Sequence, residues 1–330
     1  MKILVTGGAG YIGSHTVLEL IKEGFQPVIV DNLCNSSVKN LEGIKAITGI
    51  NVKWYNVDCS IAEELNEVFE NEQEINGAIH FAAYKSVEES IRLPEKYYKN
   101  NIVSLEVLLK LMKQSKIDNL IFSSSCTVYG TPDILPVTED APFKKAESPY
   151  GETKQQCENI LQTSDIKSIS LRYFNPIGSH SSGLIGDCSA DKPANLVPII
   201  CEVAKGVRGK LIVNGNDYNT IDGSCVRDYI HVVDLAKSHV SALHYLLKNP
   251  KKDVFNIGTG KGLSVIQAIS CFEKANDKKI NYSIGYRRDG DVEEIYSDNI
   301  KSEKLLNWQA EISVETAMKD AWNWELKKMK

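Results

Sequence analysis

The chain has 330 residues, 42% hydrophobic and 25% charged, which describes a folded protein with a sizeable core and excludes a disordered or disulfide-stapled one. Thirty-eight Lys and Arg against 43 Asp and Glu leave a net charge of −5, which argues against a broad nucleic-acid surface, and no apolar run approaches the roughly 18 residues of a membrane span. Eight cysteines without a Cys-x-x-Cys pair and six histidines without metal spacing predict reduced packing thiols and no structural zinc.

Lys2 to Val5 is an apolar, β-prone run that stops at Thr6-Gly7-Gly8-Ala9-Gly10. A helical pattern follows at once from Tyr11 to Glu23, with Ile12, Leu18, Leu20 and Ile21 on one face. The spacing is Gly7-x-x-Gly10-x-x-Gly13. Strand, glycine cluster and helix in that order suit a dinucleotide pyrophosphate. The glycines admit phosphates close to the backbone, and the helix start at Tyr11, Ile12 and Gly13 offers free N–H groups and its positive dipole end. A strand this early leaves no room for a leader, so a cytoplasmic location is expected. Pro27 to Asp31 reads as the second strand. A carboxylate at its end accepts hydrogen bonds from the adenosine ribose hydroxyls and repels a 2′-phosphate, so Asp31 predicts NAD over NADP.

Asn32-Leu33-Cys34-Asn35-Ser36-Ser37 is a polar loop placed to close over the adenosine, and a helix runs on to about Thr48. Val52 to Asp58 predicts a third strand, with Asp58 either holding the adenine amino group or capping a helix from Ile61. Gly77 to Ala83 is a fourth strand whose small residues end beside the cofactor, and His80 within it reads as a packed core histidine. Pro94 to Ser115 repeats Ile102, Leu105, Leu108, Leu109 and Met112 at helical spacing; Asn100 and Asn101 inside it either reach the cofactor or bridge helices. Asp118 to Ser125 is a fifth strand ending in three hydroxyls. These alternations predict an α/β fold, a Rossmann-like doubly wound parallel sheet with its site along the carboxyl ends of the strands.

Tyr150-Gly151-Glu152-Thr153-Lys154 opens a helix after Pro149, and residues four apart share one helical face. A phenol with a pKa of about 10 is a poor base at neutral pH unless a cation favours phenolate, and Lys154 and an oxidised nicotinamide would both do so. With Ser125 upstream, this predicts a catalytic trio. Ile169 to Pro176 reads as a sixth strand running into a turn, Ser179 to Ala194 as a polar loop that orders over substrate, and Asn195 as the start of a helix. Leu211 to Gly215 is a short strand, and Ser264 to Ala275 and Val314 to Lys327 are structural amphipathic helices.

Thr6 to His15, Asp31-Asn32-Leu33, Phe122 to Ser125, Ser148-Pro149-Tyr150-Gly151, Leu171 to Pro176 and Val226 to Val232 together resemble the extended short-chain dehydrogenase/reductases, and closely their UDP-glucose 4-epimerase family, over nearly the whole chain. The resemblance implies that Ser125, Tyr150 and Lys154 are catalytic. It implies NAD held by Gly7, Gly10, Tyr11, Ile12, Gly13, Asp31, Asn32, Asn35, Ser36, Asp58, Cys59, Phe81, Ala82, Ala83, Lys85, Asn100, Ser123, Tyr150, Lys154 and Phe174. It further implies a UDP-sugar held by Lys85, Ser125, Tyr150, Asn175, Asn195, Leu196, Ile212, Asn214, Arg227, Arg288, Asp291 and Ile295, with Asn214 standing where relatives carry phenylalanine. Guanidinium forks suit a diphosphate, which assigns that role to Arg227 and to Arg288 of Arg287-Arg288-Asp289-Gly290-Asp291, with Asp291 on a ribose.

Domains follow on the same resemblance: residues 1–176 for NAD, with about 228–262 packing back on them, and a smaller mixed α/β part, 177–330, for the UDP-sugar. Relatives pair through helices matching Pro94 to Ser115 and Tyr150 to Gln162, so a homodimer is expected. The C4 hydrogen of a hexose is not acidic, so inversion requires oxidation to a 4-keto sugar and reduction from the other face. Ile295 matches the position that gates the hexose, and its size between tyrosine and cysteine predicts UDP-glucose/UDP-galactose conversion with some activity on the N-acetylated pair. One rival is a 4,6-dehydratase or decarboxylase, but the Asp-Glu pair a dehydratase carries after the serine is replaced by Cys126-Thr127. The other is a non-catalytic NAD-binding protein, which often loses the tyrosine or lysine kept here.

Overall fold

The computed structural model describes residues 1–189, 193–288 and 290–328. It opens with β1 (Lys2–Thr6), α1 (Tyr11–Lys22), β2 (Gln26–Val30), α2 (Val38–Thr48), β3 (Lys53–Tyr55), α3 (Ala62–Asn71) and β4 (Ile75–His80). Next come α4 (Val87–Arg92), α5 (Pro94–Tyr97), α6 (Val103–Gln114), β5 (Asn119–Ser125), α7 (Pro149–Thr163) and β6 (Lys167–Tyr173). The remainder is β7 (Asn175–Ile177), α8 (Leu196–Lys205), β8 (Leu211–Asn214), β9 (Val226–His231), α9 (Val232–Lys248), β10 (Asp253–Ile257), β11 (Gly262–Ser264), α10 (Val265–Asn276), β12 (Tyr282–Gly285), β13 (Glu294–Ile295), α11 (Ile300–Leu306) and α12 (Val314–Lys327).

Among the described residues, the main sheet has seven strands in the order β10-β6-β5-β4-β1-β2-β3, every pairing parallel. Alternate residues of its strands feed two cores. Ile3, Val5, Ile29 and Ile121 pack with Leu18 of α1 and Leu243 of α9 on one face; Leu4, Val28, Leu120 and Phe122 pack with Leu65 of α3 and Leu108 of α6 on the other. Continuous apolar strands are what such double coverage requires. The strand order reverses between β1 and β4, and a doubly wound sheet binds ligands in the crevice at that point. The expected Rossmann-like sheet is therefore the fold, extended by α9 and β10 from the second half of the sequence. A four-stranded sheet joins β7, β11 and β13 around β9, and β8 pairs with β12.

Several boundaries differ from the sequence reading. The third strand stops at Tyr55, leaving Asp58 in the following turn, and Ile61 rather than Asp58 occupies the cap position of α3. The helix expected over Pro94 to Ser115 is interrupted by a π turn at Tyr98–Ile102, where the side chain of Asn101 turns inward. The sixth strand ends at Tyr173: Phe174 donates its N–H to Ile257 (3.2 Å), and from Asn175 the chain pairs with β9 in the other sheet. Proline at 176 has no N–H for a ladder, which suits a short edge segment. Of the predicted loop Ser179 to Ala194, residues 190–192 lie outside the described residues, as does Asp289 of the arginine motif.

Candidate functional site

The glycine loop joins β1 to α1 beside the β1/β4 crevice. Gly7 has φ +70°, and a Cβ there would stand 2.8 Å from the backbone N of Ala82, just beyond β4. A Cβ on Gly13 would strike the Gly7 carbonyl, so the third glycine lets helix and loop touch. Gly10 caps α1 with no side-chain hydrogen bond, and the first turn carries no acidic residue. An anion meets the helix N–H groups of Tyr11, Ile12 and Gly13 without a competing carboxylate. Asp31 is buried, and its carboxylate accepts from Ala9 N (3.0 Å), Leu33 N (2.9 Å) and Ser36 Oγ (2.7 Å), fixing the loop after β2 to the glycine cradle. Asn32 donates to Asp58 (2.9 Å), Asn35 sits half-buried in the same loop, and Cys59 is buried. Burial works to raise the Asp58 pKa, but the hydrogen bonds from Ser60 and Asn32 outweigh it and hold the carboxylate charged. The uncapped helix start, the cradle that admits no Cβ and the carboxylate after β2 fit NAD.

On the far side of the crevice, Phe81, Ala82 and Ala83 follow β4 and remain partly exposed. Lys85 is exposed and pairs with Asp187 (3.4 Å). Asn100 reaches Asn101 (3.1 Å) instead of bridging helices; Asn101 does the bridging, accepting from Tyr84 N (2.8 Å) and donating to Tyr84 O (3.0 Å) and Thr153 Oγ1 (3.2 Å). His80 is buried on Thr6 Oγ1 (2.7 Å), with burial lowering its pKa to about 3, as befits a neutral core histidine.

Ser125 ends β5, and Ser148 caps α7 so that Tyr150 and Lys154 both face that strand end. Burial pushes the Tyr150 phenol up to about 12, although its hydrogen bond with Ser125 pulls the other way. Burial likewise brings Lys154 down to about 8, against the pull of Cys157 and Glu158. The ammonium donates to the carbonyl of Ser123 (2.8 Å) and lies 5.8 Å from the Tyr150 ring centroid. The pair thus shares a face as the spacing predicts, but in the protein alone Lys154 does not offset the burial of the phenol.

The other residues that the resemblance assigns to substrate are spread over the four-stranded sheet (Asn175, Arg227, Ile295), the start of α8, β8 and the segment between β12 and β13. Arg227 and Arg288 converge on one Asp291 oxygen, at 3.5 and 2.6 Å, so the three residues expected around the diphosphate and ribose meet in space. Arg287 turns away, pairing with Asp217 (2.8 Å) and covering the Tyr218 ring at 4.0 Å. The Asn175 amide oxygen is buried with no hydrogen-bond partner among the described residues, as is the Thr127 hydroxyl. Thr127 donates its N–H to Ser125 Oγ (3.3 Å), and its side chain was missed in sequence because it entered only as a missing carboxylate. Phe174 and Ile295 are buried together with Cys126 and Val128. Asn195 is exposed at the start of α8 with Leu196 partly buried behind it, and Ile212 and Asn214 lie on β8. Beyond the end of that strand is a 710 Å³ groove lined by Gly215, Asn216, Tyr286 and Arg287.

The family model described as GDP-mannose 4,6 dehydratase matches residues 4–321. The UDP-glucose 4-epimerase of Dictyostelium discoideum is 48% identical over 98% of this chain and 95% of its own. The chain belongs to the UDP-glucose 4-epimerase family. Two crystal structures of epimerases in this family have nearly the same fold. The enzyme from Stenotrophomonas maltophila, with bound NAD and formylated UDP-arabinopyranose, superposes with a TM-score of 0.96 at 40% identity over 100% of this chain and 99% of that one. The Bifidobacterium longum enzyme in complex with NAD+ and UDP gives 0.95 at 43% identity with the same coverage. Within the epimerase family the dehydratase rival loses its ground, since Cys126 and Thr127 supply no carboxylate beside Ser125.

The Lys154 and Tyr150 positions carry a pH prediction. With Lys154→Met the phenol loses its nearest cation, so proton removal from Tyr150 shifts to higher pH. The expected result is a lower rate at pH 7 and a rising limb of kcat/KM displaced upward; a pH profile that keeps its shape would contradict this.

Proposed function

We propose that the cleft between the two sheets carries NAD-dependent, reversible C4 epimerisation of UDP-glucose and UDP-galactose, the activity of the family and a step of galactose metabolism. One observation carries the reading: Ser125, Tyr150 and Lys154 converge at the carboxyl end of β5, next to a glycine cradle fit for NAD. In this proposal residues 1–176, with about 228–262, hold the cofactor, and the rest of 177–330 holds the sugar nucleotide. We also propose a homodimer through α6 and α7, on the resemblance to relatives that pair there, and sedimentation at twice the 36.7 kDa chain mass is expected. No helix among the described residues is long and apolar enough to cross a membrane, and the net charge of −5 gives no reason to add a nucleic-acid partner; we place the enzyme in the cytoplasm.

When bound, NAD would supply the hydride acceptor and donor that a transient 4-keto sugar requires, and positive charge that favours phenolate. Tyr150 takes the proton of the 4-hydroxyl and later returns it. Ser125 holds the same oxygen by its hydroxyl, and Lys154 keeps positive charge in a buried pocket through the Ser123 carbonyl. Arg227 and Arg288 anchor the diphosphate while the sugar turns to present its other face. The Asn175 amide oxygen, buried and unpartnered, is available to a sugar hydroxyl.

The test is direct. The purified protein is denatured and its supernatant assayed for nicotinamide nucleotide, then native enzyme is given 4-deuterated UDP-galactose mixed with differently tagged unlabelled substrate. Bound NAD and product without label crossover are expected; crossover, or a requirement for fresh NAD at each turnover, would defeat the proposal.

Ile295 sets the breadth of the pocket. It is 4% exposed and packs against Phe174 and Cys126 near Ser125, filling less space than a tyrosine. Weak discrimination follows, since a hydrophobic gap separates substrates by only about 10- to 200-fold. UDP-glucose and UDP-galactose should interconvert efficiently and the N-acetylated pair measurably. Ile295→Tyr should cut kcat/KM for the N-acetylated pair selectively; equal losses on both pairs would remove residue 295 from this role.

A further inference from the structure

The segment from Gly178 to Ser189 runs as a strap between the cofactor half and α12. On the cofactor side, the Tyr11 hydroxyl donates to Gly178 O (2.6 Å), Lys85 pairs with Asp187 (3.4 Å), and Ile185 is fully buried in the core against Gly43 of α2. On the α12 side, Ser179 Oγ donates to Asp320 O (2.6 Å), Asn323 Nδ2 to Ser181 O (2.9 Å) and Trp324 Nε1 to Asp187 O (3.3 Å). A Cβ on Gly186 would collide with the Trp324 ring, so the strap lies flat against it.

Asn40 of α2 joins this strap to the glycine loop. It is fully buried, and its amide nitrogen donates to Ala9 O (2.9 Å) and Gly186 O (3.1 Å) while its oxygen accepts from Gly186 N (3.3 Å). The Ala9 N–H is already given to Asp31, so Ala9 is held from both sides, one residue before the cap of α1. The Asn40 oxygen also accepts from the Cys188 thiol (3.6 Å), a second tie to the strap, and the other contacts go to backbone: Asn40 sets the position of the cradle and leaves the ligand to the helix N–H groups.

We infer that Asn40 and the 178–189 strap form a clasp that retains the dinucleotide, with the seating of α12 deciding how long the cofactor stays. The inference rests on the NAD reading above. A bound dinucleotide needs the N–H groups around Gly10 held in one place, and releasing it requires the loop to loosen. Loosening costs the Asn40 hydrogen bonds, and the two to Gly186 go with the seating of Gly186 on Trp324. The sugar half thereby holds the cofactor half shut without touching the cofactor. Asn40 is a positioning residue, and Trp324 acts through it.

The experiment loads the full chain with radiolabelled NAD and follows its loss after a chase of unlabelled NAD, for wild type, Asn40→Ala, Trp324→Phe and the double variant. Thermal unfolding of each NAD-free protein is recorded alongside. Asn40→Ala should release NAD roughly tenfold faster, as loss of buried hydrogen bonds implies, and Trp324→Phe a few-fold faster with its ring still packed. The double variant should fall short of the product of the two, because coupled contacts are non-additive. If Asn40→Ala does not fold, Trp324→Phe carries the test alone. Unchanged release, or rates that simply multiply in the double variant, would overturn the clasp. A wild type that binds no NAD would fail in a different way, removing the cofactor reading itself.

Discussion

Replacing Tyr150 by phenylalanine should lower turnover of UDP-galactose by roughly 10²- to 10⁴-fold, the contribution of a positioned acid–base group. The ring remains and continues to fill the space beside Lys154 and Ser125, so the cradle at Gly7, Gly10 and Gly13 keeps its shape and bound NAD is retained. What disappears is the phenolic oxygen beside Ser125, and with it the group proposed to take and return the 4-hydroxyl proton. Burial pushes that phenol up to about 12, so the proton is held tightly at neutral pH, and catalysis depends on positive charge gathering around it. Steady-state kcat together with the NAD content of the variant checks the prediction. Near-normal turnover, or loss of activity only because NAD is gone, would count against the role given to Tyr150.

The largest stability effect is expected at Glu158. Its carboxylate accepts Nε (3.0 Å) and Nη2 (2.7 Å) of Arg172, and the Ser124 hydroxyl donates to it as well. Arg172 in turn reaches Tyr129 (2.9 Å), which donates to Asn256 Oδ1 (2.6 Å), so α7, β6 and β10 meet in one network. The side chains of this ion pair are only 6% and 4% exposed. Glu158→Ala leaves a buried guanidinium without its counter-ion, which costs about 3–5 kcal/mol and should lower Tm by roughly 10 °C. Glu158→Ala combined with Arg172→Met should recover part of the loss, since the uncompensated charge is then gone. A shift of less than about 2 °C in the single variant would show that the network relaxes around water instead. Glu158 also helps Lys154 keep its proton, so the single variant should lose activity at a lower pH than wild type, on the alkaline side.

The parts of the molecule that were legible in the sequence are those in which a local pattern has a local cause. β1, the glycine loop and α1 follow one another without a gap, and Gly13 is needed by a neighbour six residues away. Tyr150 and Lys154 are read from helical spacing alone. The second half resists such reading because its contacts are remote. α9 buries polar Asp234, Ser238 and His239 beside Leu235, Leu243 and Leu246 and leaves Lys237, His244 and Lys248 outside, so its inward face is not a simple apolar stripe. β7, β11 and β13 have three, three and two residues, too few for a period, and gain their identity only by pairing with β9. The π turn at Tyr98–Ile102 leaves the apolar repeat intact, so the sequence gives no sign that Asn101 and not Asn100 bridges to Thr153. Asn40 was invisible for a similar reason: its partners are backbone atoms at positions 9 and 186 and the thiol of Cys188, all remote in sequence.

The seventh strand of the main sheet gives the fold a schedule. β10 pairs with β6 across the residues that build most of the sugar half, and the strap is seated by a helix that ends at Lys327. During synthesis the first 176 residues emerge with the edge of β6 unpaired, and such an edge is an invitation to other chains. A ribosome-released fragment of that length should aggregate or be cut within β6 by protease, whereas a chain reaching past residue 257 closes the edge. Long-range closure of this kind is slow, so completion of the nucleotide cradle waits on α12, more than 130 residues beyond the last strand residue of β7.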